Sequence, residues 1–299
     1  MAGNATPQWT AQTERGALPL IKFIAWVALR LGRPVARLFL YPICLYFLIF
    51  SNGTREASRQ YLARALGRTP NIFDVFRHYH CFAACVLDRV FFLNAQLHLF
   101  DLRVHGEDAV IDTLRRGSGC MLVGAHFGSF EVAGALGRRQ PDLRISLVMY
   151  EENARKIRTV LYAINPSLAM EVIGLGKPDS MITVGERLEK GYCIGMLADR
   201  SMQGEGQVRF PFLGASAAFP EGPFRMAALM KRPVVLMVGV YRGGRGYDVF
   251  FEPLIDPSEL PPDRRGEHVE EAMRRYVARL EHYCRAAPYN WFNFYDFWA

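Results

Sequence analysis

Short apolar runs alternate with stretches of helical period along most of this chain, and the alternation limits the folds available to it. The predicted strands are residues 120–125, 144–149, 170–174, 193–198, 234–242 and 247–252. The predicted helices are residues 129–138, 153–164, 179–190, 222–231 and 264–285. Such alternation is typical of a sheet with substantial parallel content that is flanked by helices. The sequence therefore predicts an α/β fold with a mixed, largely parallel sheet.

Three stretches outside this alternation complete the predicted organisation. Residues Thr54 to Leu66 have the pattern of an amphipathic helix, and Asn71 to Asn94 have that of a longer one. We expect both helices to cover the sheet domain. The stretch from Arg200 to Ala218 is predicted to be a long loop, and long loops in compact domains are usually lids or binding segments.

The N-terminal part of the chain holds its most apolar stretch, from Leu18 to Phe50. A helix that spans a bilayer needs about 20 largely apolar residues, and the uncharged run from Leu38 to Phe50 is shorter. Before that run, three arginines recur at helical spacing on one face, namely Arg30, Arg33 and Arg37. We therefore predict a membrane-anchoring helical segment, bent or interfacial, whose basic face lies among anionic headgroups. A single tilted span and a buried hairpin of a soluble protein are the alternatives.

Length and apolar content fit one large domain with an appendage, or two smaller domains. The chain has 299 residues, of which 51% are hydrophobic, and a chain of this size can bury a sizeable core. We predict an N-terminal tail and membrane-associating segment over residues 1–52. A larger domain that carries the chemistry is predicted over residues 53–299.

The charge balance favours acidic partners. The formal net charge is +7 at pH 7, which suits anionic lipid, an acidic carrier protein or a phosphorylated substrate. The basic residues are spread through the helices and do not form a stripe, so we expect a membrane surface and no nucleic acid.

Cysteine usage indicates a reducing compartment. The six cysteines lie mostly in apolar runs without paired spacing, which is typical of buried thiols. A metal site is not expected, because His78, His80, Cys81 and Cys85 are predicted to scatter around one helix and no second cluster completes a ligand shell.

His126 and Glu131 directly follow the apolar run of residues 120–124, with four residues between them. Histidine titrates near neutral pH, and a carboxylate on one ring nitrogen fixes the tautomer so that the other nitrogen can accept a proton. The spacing therefore predicts His126 as a general base and Glu131 as the residue that orients it. The alternative is a strand-end histidine followed by an ordinary first-turn acid.

Three further motifs are predicted to lie at the same edge of the sheet, where ligands of α/β proteins bind, and the aromatic run 288–298 is the third of them. Asp199-Arg200 closes a predicted strand, and Arg200 could bind a phosphate or a phosphopantetheine thioester while Asp199 holds it. The block Phe219-Pro220-Glu221-Gly222 precedes a helix whose amides could receive an anion. The predicted substrate-binding residues are Asp199, Arg200, Phe219, Glu221 and Gly222. A surface ion pair for Arg200 and a helix-start acid for Glu221 are the alternatives, and the aromatic run 288–298 is predicted to be a packed C-terminal plug.

In this order, the motifs resemble those of the lysophospholipid acyltransferase superfamily. The likeness is to its bacterial branch, similar to the late lipid A biosynthesis (lauroyl/myristoyl) acyltransferases. The pair His126 and Glu131 matches the family's His-x4-Asp/Glu motif, and the apolar N-terminus, Asp199-Arg200, the block 219–222 and the aromatic tail complete the likeness. Ala125 stands where many relatives carry asparagine, which leaves the donors to the oxyanion unassigned.

The resemblance implies an acyltransferase domain over residues 53–299 that needs no cofactor. A fatty acyl group would pass from a thioester, on acyl carrier protein or coenzyme A, to a hydroxyl or amine of a membrane lipid or glycolipid. His126 would be the base, Glu131 would steady the imidazolium, and Arg200 or backbone amides would stabilise the oxyanion. The implied location is the cytoplasmic face of a bacterial inner membrane. A thioesterase or lipid hydrolase with the same dyad and a non-catalytic membrane scaffold are the alternatives.

Overall fold

The structure of the protein is a computed structural model. It describes residues 18–115, 117, 119–132, 144–150, 172–176, 178–201, 205–256 and 264–299. The helices in these ranges are α1 (Leu18–Leu38), α2 (Leu40–Phe50), α3 (Asn52–Leu66), α4 (Ile72–Leu93), α5 (Asp108–Arg115), α6 (Pro178–Glu189), α7 (Gly222–Met230) and α8 (Arg265–Ala286). The strands are β1 (Asp101–His105), β2 (Met121–Gly124), β3 (Ile145–Tyr150), β4 (Val172–Leu175), β5 (Cys193–Leu197), β6 (Gln207–Phe212), β7 (Ala215–Pro220), β8 (Val234–Gly243) and β9 (Gly246–Ile255).

Seven of these strands form one sheet in the order β1-β9-β8-β2-β5-β3-β4. Every neighbouring pair is parallel except β8 and β9, which form an antiparallel hairpin. The central strand β2 is buried along its whole length, as expected for a strand covered on both faces. The predicted α/β class and the largely parallel sheet are therefore confirmed. The predicted helix 153–164 and most of the predicted helix 129–138 lie outside the described residues.

The predicted loop from Arg200 to Ala218 is wrong, because β6 and β7 form an antiparallel hairpin within it. Leu213 and Gly214 make the turn with φ of 49° and 81°, and two successive positive φ angles suit the twist of a hairpin. Tertiary contacts hold the hairpin in place, since the backbone N–H of Leu213 donates to Glu281 on α8. Pro211 and the alanine-rich β7 hide the strand pattern in the sequence.

Helices α1 to α4 form the N-terminal part of the fold. Helix α1 has a break at Gly32, whose φ of 83° and ψ of 166° are not helical, two residues before Pro34. No single helix among the described residues is long and apolar enough to cross a membrane. The segments Trp26–Leu38 and Leu40–Phe50 are bent by 55° relative to each other. Only together are they long and apolar enough to cross a membrane.

A buried ion pair joins α1 to α4. The guanidinium of Arg33 donates to both carboxylate oxygens of Asp88 at 2.7 Å, and the Tyr247 hydroxyl on β9 also donates to Asp88. Arg33 is 8% exposed and Asp88 is fully buried. The expectation that Arg33 lies among lipid headgroups is therefore wrong, because the Asp88 carboxylate engages it inside the fold. Arg30 on the same helix is exposed.

Candidate active site

His126 lies just beyond the carboxyl end of β2, in a segment fixed by its neighbours on both sides. Gly128 donates its backbone N–H to the carbonyl of Asn290, and Ser129 donates to that of Gly239. Gly128 has a φ of 53°, and a Cβ atom there would lie 1.8 Å from the Gly239 carbonyl oxygen. Only glycine allows this close approach, so the backbone around His126 is tightly positioned.

The carboxylate that orients His126 belongs to Asp199. Nδ1 of His126 lies 2.8 Å from Oδ1 of Asp199, and the His126 backbone N–H donates to Oδ2 at 3.0 Å. Strands β2 and β5 are parallel neighbours, so their carboxyl ends lie side by side and bring the two residues together. Asp199 is fully buried, whereas one third of the His126 side chain is exposed. The imidazole therefore has a fixed inner edge and an outer edge that substrate can reach.

The pKa shifts of His126 and Asp199 indicate where the protons of this pair lie. Burial by itself would raise the pKa of Asp199, but the neighbouring His126 and Arg200 lower it to about 2. Burial lowers the pKa of His126 from its ordinary value, and the charges of Arg200 and Arg89 act in the same direction. At neutral pH an ionised Asp199 then accepts the Nδ1 proton of a neutral imidazole. The lone pair of Nε2 is left available to act as a base.

The predicted orienting role of Glu131 is wrong. Oε1 of Glu131 lies 2.8 Å from Nε of Arg89 on α4, and Oε2 accepts a hydrogen bond from the Ser129 hydroxyl. Bridges to the C-terminal segment and to β8 occupy residues 127 and 128, so His126 and Glu131 do not lie on adjacent turns of one helix. Glu131 instead holds Arg89, whose charge lowers the pKa of His126.

Arg200 lies beside the base, although Asp199 does not hold it as predicted. The Arg200 guanidinium donates to the Phe292 carbonyl at 2.7 Å and lies 5.6 Å from the centre of the Tyr295 ring. Its positive charge lowers the pKa of both His126 and Asp199. The structure thus brings together three of the predicted site residues, His126, Asp199 and Arg200.

The block of residues 219–222 does not join this group. Phe219 is fully buried and packs edge-on against Phe212, so the structure does not bring it to His126, and its role in binding substrate stays a prediction. Glu221 pairs with Arg225, and the carboxylates of Glu221 and Glu205 lie against Gly206 and Gly222. Two carboxylates at a helix start oppose the predicted binding of an anion by Glu221 and Gly222. Within the described part of the chain, these residues make no hydrogen bond, ion pair or ring contact with His126.

The C-terminal aromatic run lies beside His126, at the edge of the sheet where it was predicted, and it supports the base directly, a role that the sequence did not predict. The Trp291 indole N–H donates to Oδ2 of Asp199 at 3.0 Å, and the Phe292 N–H donates to the His126 carbonyl at 2.7 Å. Trp291 is fully buried, so the run packs as predicted and also supports the base. The sequence signal for this role was the presence of polar groups within an otherwise aromatic run, at Asn290, Trp291 and Asn293.

A second histidine, His78, is buried and bonds to the backbone carbonyl of Trp291. Nε2 of His78 lies 2.8 Å from the Trp291 carbonyl, and Nδ1 lies 2.8 Å from the Ser58 hydroxyl. Burial lowers the pKa of His78 to about 4, so the ring is neutral and donates from Nε2 to the carbonyl. Because both ring nitrogens are engaged, His78 serves the packing of α3 and α4 against the site.

The chain matches a family model described as bacterial lipid A biosynthesis acyltransferase, over residues 12–299. The matched range includes the N-terminal helices, the whole sheet, the pair His126 and Asp199, and the aromatic C-terminal run. No curated protein matches the chain.

Proposed function

The chain belongs to the bacterial lipid A biosynthesis acyltransferase family, and from this membership we propose that an acyl thioester is the donor and His126 the general base. The family establishes an acyltransferase that acts on a lipid acceptor. The donor proposed here is acyl carrier protein or coenzyme A. The acceptor group is a hydroxyl or amine of a membrane lipid or glycolipid. The observation that carries the proposal is the bond of 2.8 Å between His126 and a buried, ionised Asp199.

The proposed reaction needs no covalent enzyme intermediate. Nε2 of His126 takes the proton of the acceptor hydroxyl as its oxygen attacks the thioester carbon. Asp199 stabilises the imidazolium that forms, as a carboxylate does for a positioned histidine base. The carbon–sulfur bond then breaks, and the imidazolium returns the proton to the departing sulfur.

Two arginines beside the base suit a negatively charged donor. Arg89 and Arg200 both act on the pKa of His126, which places their charges near the imidazole. Phosphopantetheine and coenzyme A carry phosphate groups, which arginine binds well. We assign Arg200 to the donor's phosphate or to the oxyanion, and Glu131 to the positioning of Arg89.

Loss of the base is expected to abolish transfer without unfolding the protein. We expect His126→Ala to lower the transfer rate by about 10²–10⁴-fold, whereas His98→Ala, which removes an exposed histidine, leaves it unchanged. The assay follows radiolabelled palmitoyl carrier protein and palmitoyl-CoA with a bacterial lipid extract, separated by thin-layer chromatography. The wild-type rate is expected to fall as pH drops through the lowered pKa of His126, because the protonated imidazole cannot accept a proton.

The products distinguish the alternatives. Label in a lipid that depends on His126 supports the proposal. Label released as free fatty acid would indicate a hydrolase, and no product with either donor would favour a scaffold. Full transfer by His126→Ala would contradict the assignment of the base.

We also propose that α1 and α2 bind the cytoplasmic face of a bacterial inner membrane. Large apolar side chains of these helices are exposed: Trp26, Leu29, Leu31, Val35, Leu38, Phe39, Tyr41, Leu45, Tyr46, Phe47, Ile49 and Phe50. Phe82 on α4 is also exposed and packs edge-on against Phe292 and Phe294 of the C-terminal run. An apolar surface that reaches the C-terminal run would let a lipid acceptor approach His126 from the membrane.

Membrane binding is expected to depend on the end of α2. The variant Phe47→Ser/Ile49→Ser/Phe50→Ser should bind at least about 100-fold more weakly to vesicles of phosphatidylethanolamine and phosphatidylglycerol, since each inserted apolar side chain contributes about 1.5–3 kcal/mol. Ile182→Ser/Leu229→Ser is the control, because both residues are comparably exposed outside this segment. Sedimentation with vesicles measures the binding. Equal sedimentation of both variants would disprove this attachment.

A further inference from the structure

Asn293 has a buried side-chain amide in the C-terminal run. Its side chain is about 1% exposed, and neither Oδ1 nor Nδ2 makes a hydrogen bond of good geometry among the described residues, although the amide lies close enough to the Tyr295 hydroxyl to act on its pKa. Asn290, three residues earlier, accepts from the Tyr241 N–H through Oδ1 and donates to the Tyr241 carbonyl through Nδ2. Buried polar groups are nearly always paired, so the unpaired amide of Asn293 calls for a physical reason.

The surroundings of Asn293 place it next to the base. The peptide group before it is held from both sides: the Phe292 N–H donates to the His126 carbonyl, and the Phe292 carbonyl accepts from Arg200, both at 2.7 Å. Nε of Arg200 is buried and also lacks a partner. Nδ2 of Asn293 and Nε of Arg200 are therefore left without a well-formed hydrogen bond on either side of the Phe292 peptide group that contacts His126.

We propose that Asn293 is a catalytic residue whose Nδ2 donates, together with Nε of Arg200, to the carbonyl oxygen of the acyl thioester as that oxygen becomes negative. The inference rests on the acyl transfer proposed above and assigns the oxyanion donors. Donors fixed in a buried site stabilise such a charge without reorganisation of solvent, and the loss of one typically costs about 10²–10³ in kcat.

In the proposed step, each bond that forms is matched by one that breaks. The acceptor oxygen forms a bond to the thioester carbon, its proton passes to Nε2 of His126, and the carbonyl electron pair moves to the oxygen held by Asn293 and Arg200. When the tetrahedral intermediate collapses, the carbon–oxygen double bond reforms and the carbon–sulfur bond breaks. The sulfur leaves as a thiol with the proton from His126.

The test compares two asparagine-to-leucine substitutions in the full-length protein. Leucine has the same branched arrangement of side-chain heavy atoms as asparagine but no polar atoms. Asn293→Leu is expected to lower kcat by about 100-fold or more, with a melting temperature equal to or above that of the wild type, because an unpaired buried amide is removed. Asn290→Leu is expected to lower the melting temperature, because it breaks two hydrogen bonds. The substrates are radiolabelled palmitoyl carrier protein, palmitoyl-CoA and a bacterial lipid extract in mixed micelles.

Two results would overturn the inference: a wild-type kcat in Asn293→Leu, or a drop in melting temperature as large as that of Asn290→Leu. If Asn293→Leu does not fold, Asn293→Asp replaces the donor by an acceptor of the same size, and retention of its rate would overturn the inference equally. If acyl transfer requires His126 but not Asn293, this inference fails and the proposed function stands. Absence of transfer by the wild type defeats the proposed function as well.

Discussion

Asp199→Asn is expected to lower kcat by about 10³–10⁴-fold while the protein stays folded. Oδ2 of Asp199 accepts from two N–H groups, those of His126 and Trp291, so the asparagine oxygen takes that position. The amide nitrogen then faces Nδ1 of His126 and donates to it. This places the imidazole proton on Nε2, where the base needs its lone pair, and a wrong tautomer costs about 10⁴ in a serine protease triad. Steady-state kinetics of the purified variant measure the effect.

Glu131→Gln is the matched control. It neutralises the carboxylate that the His-x4-Glu spacing predicts as the partner of His126. Its amide can still bond to Ser129, and the tautomer of His126 remains set by Asp199. We expect a clearly smaller loss of kcat. A larger loss in Glu131→Gln than in Asp199→Asn would reverse the assignment of the orienting residue.

Arg33→Ala is expected to lower the free energy of unfolding by about 3–5 kcal/mol. It would leave the Asp88 carboxylate buried without its cation, and breaking a buried ion pair from one side costs about this much. Chemical denaturation in detergent measures the change. The ion pair joins α1 to the rest of the fold, so early loss of α1 is expected in limited proteolysis.

Two controls separate this effect from a general loss of charge. Arg33→Met/Asp88→Leu removes both charges and should recover most of the stability, because apolar replacements of a buried pair are often neutral or stabilising. Arg115→Ala removes an exposed pair with Asp112 and should change stability by less than about 1 kcal/mol. A loss of less than about 1 kcal/mol in Arg33→Ala would contradict the structural role of the ion pair.

Much of the sheet could be predicted because its central strands are covered on both faces. The residues of β2 and the first part of β8 are continuously apolar, and the helices between strands show a clear period. Strand β1 and the hairpin β6–β7 lack that signal. β1 alternates between exposed and partly buried residues, and the hairpin depends on contacts with α8. Such contacts join residues far apart in the chain, so a local pattern cannot reveal them.

The fold class, the family resemblance and the position of His126 at the end of a strand could all be predicted from the order of residues. Each of these depends on local periodicity or on an ordered set of short motifs. The groups that surround the base could be identified only in the folded chain. Asp199 comes from the end of a neighbouring strand, Trp291 and Phe292 come from the C-terminal run, and Glu131 faces Arg89. Hydrogen bonding depends on distance in space, and the order of parallel strands sets that distance independently of spacing along the chain.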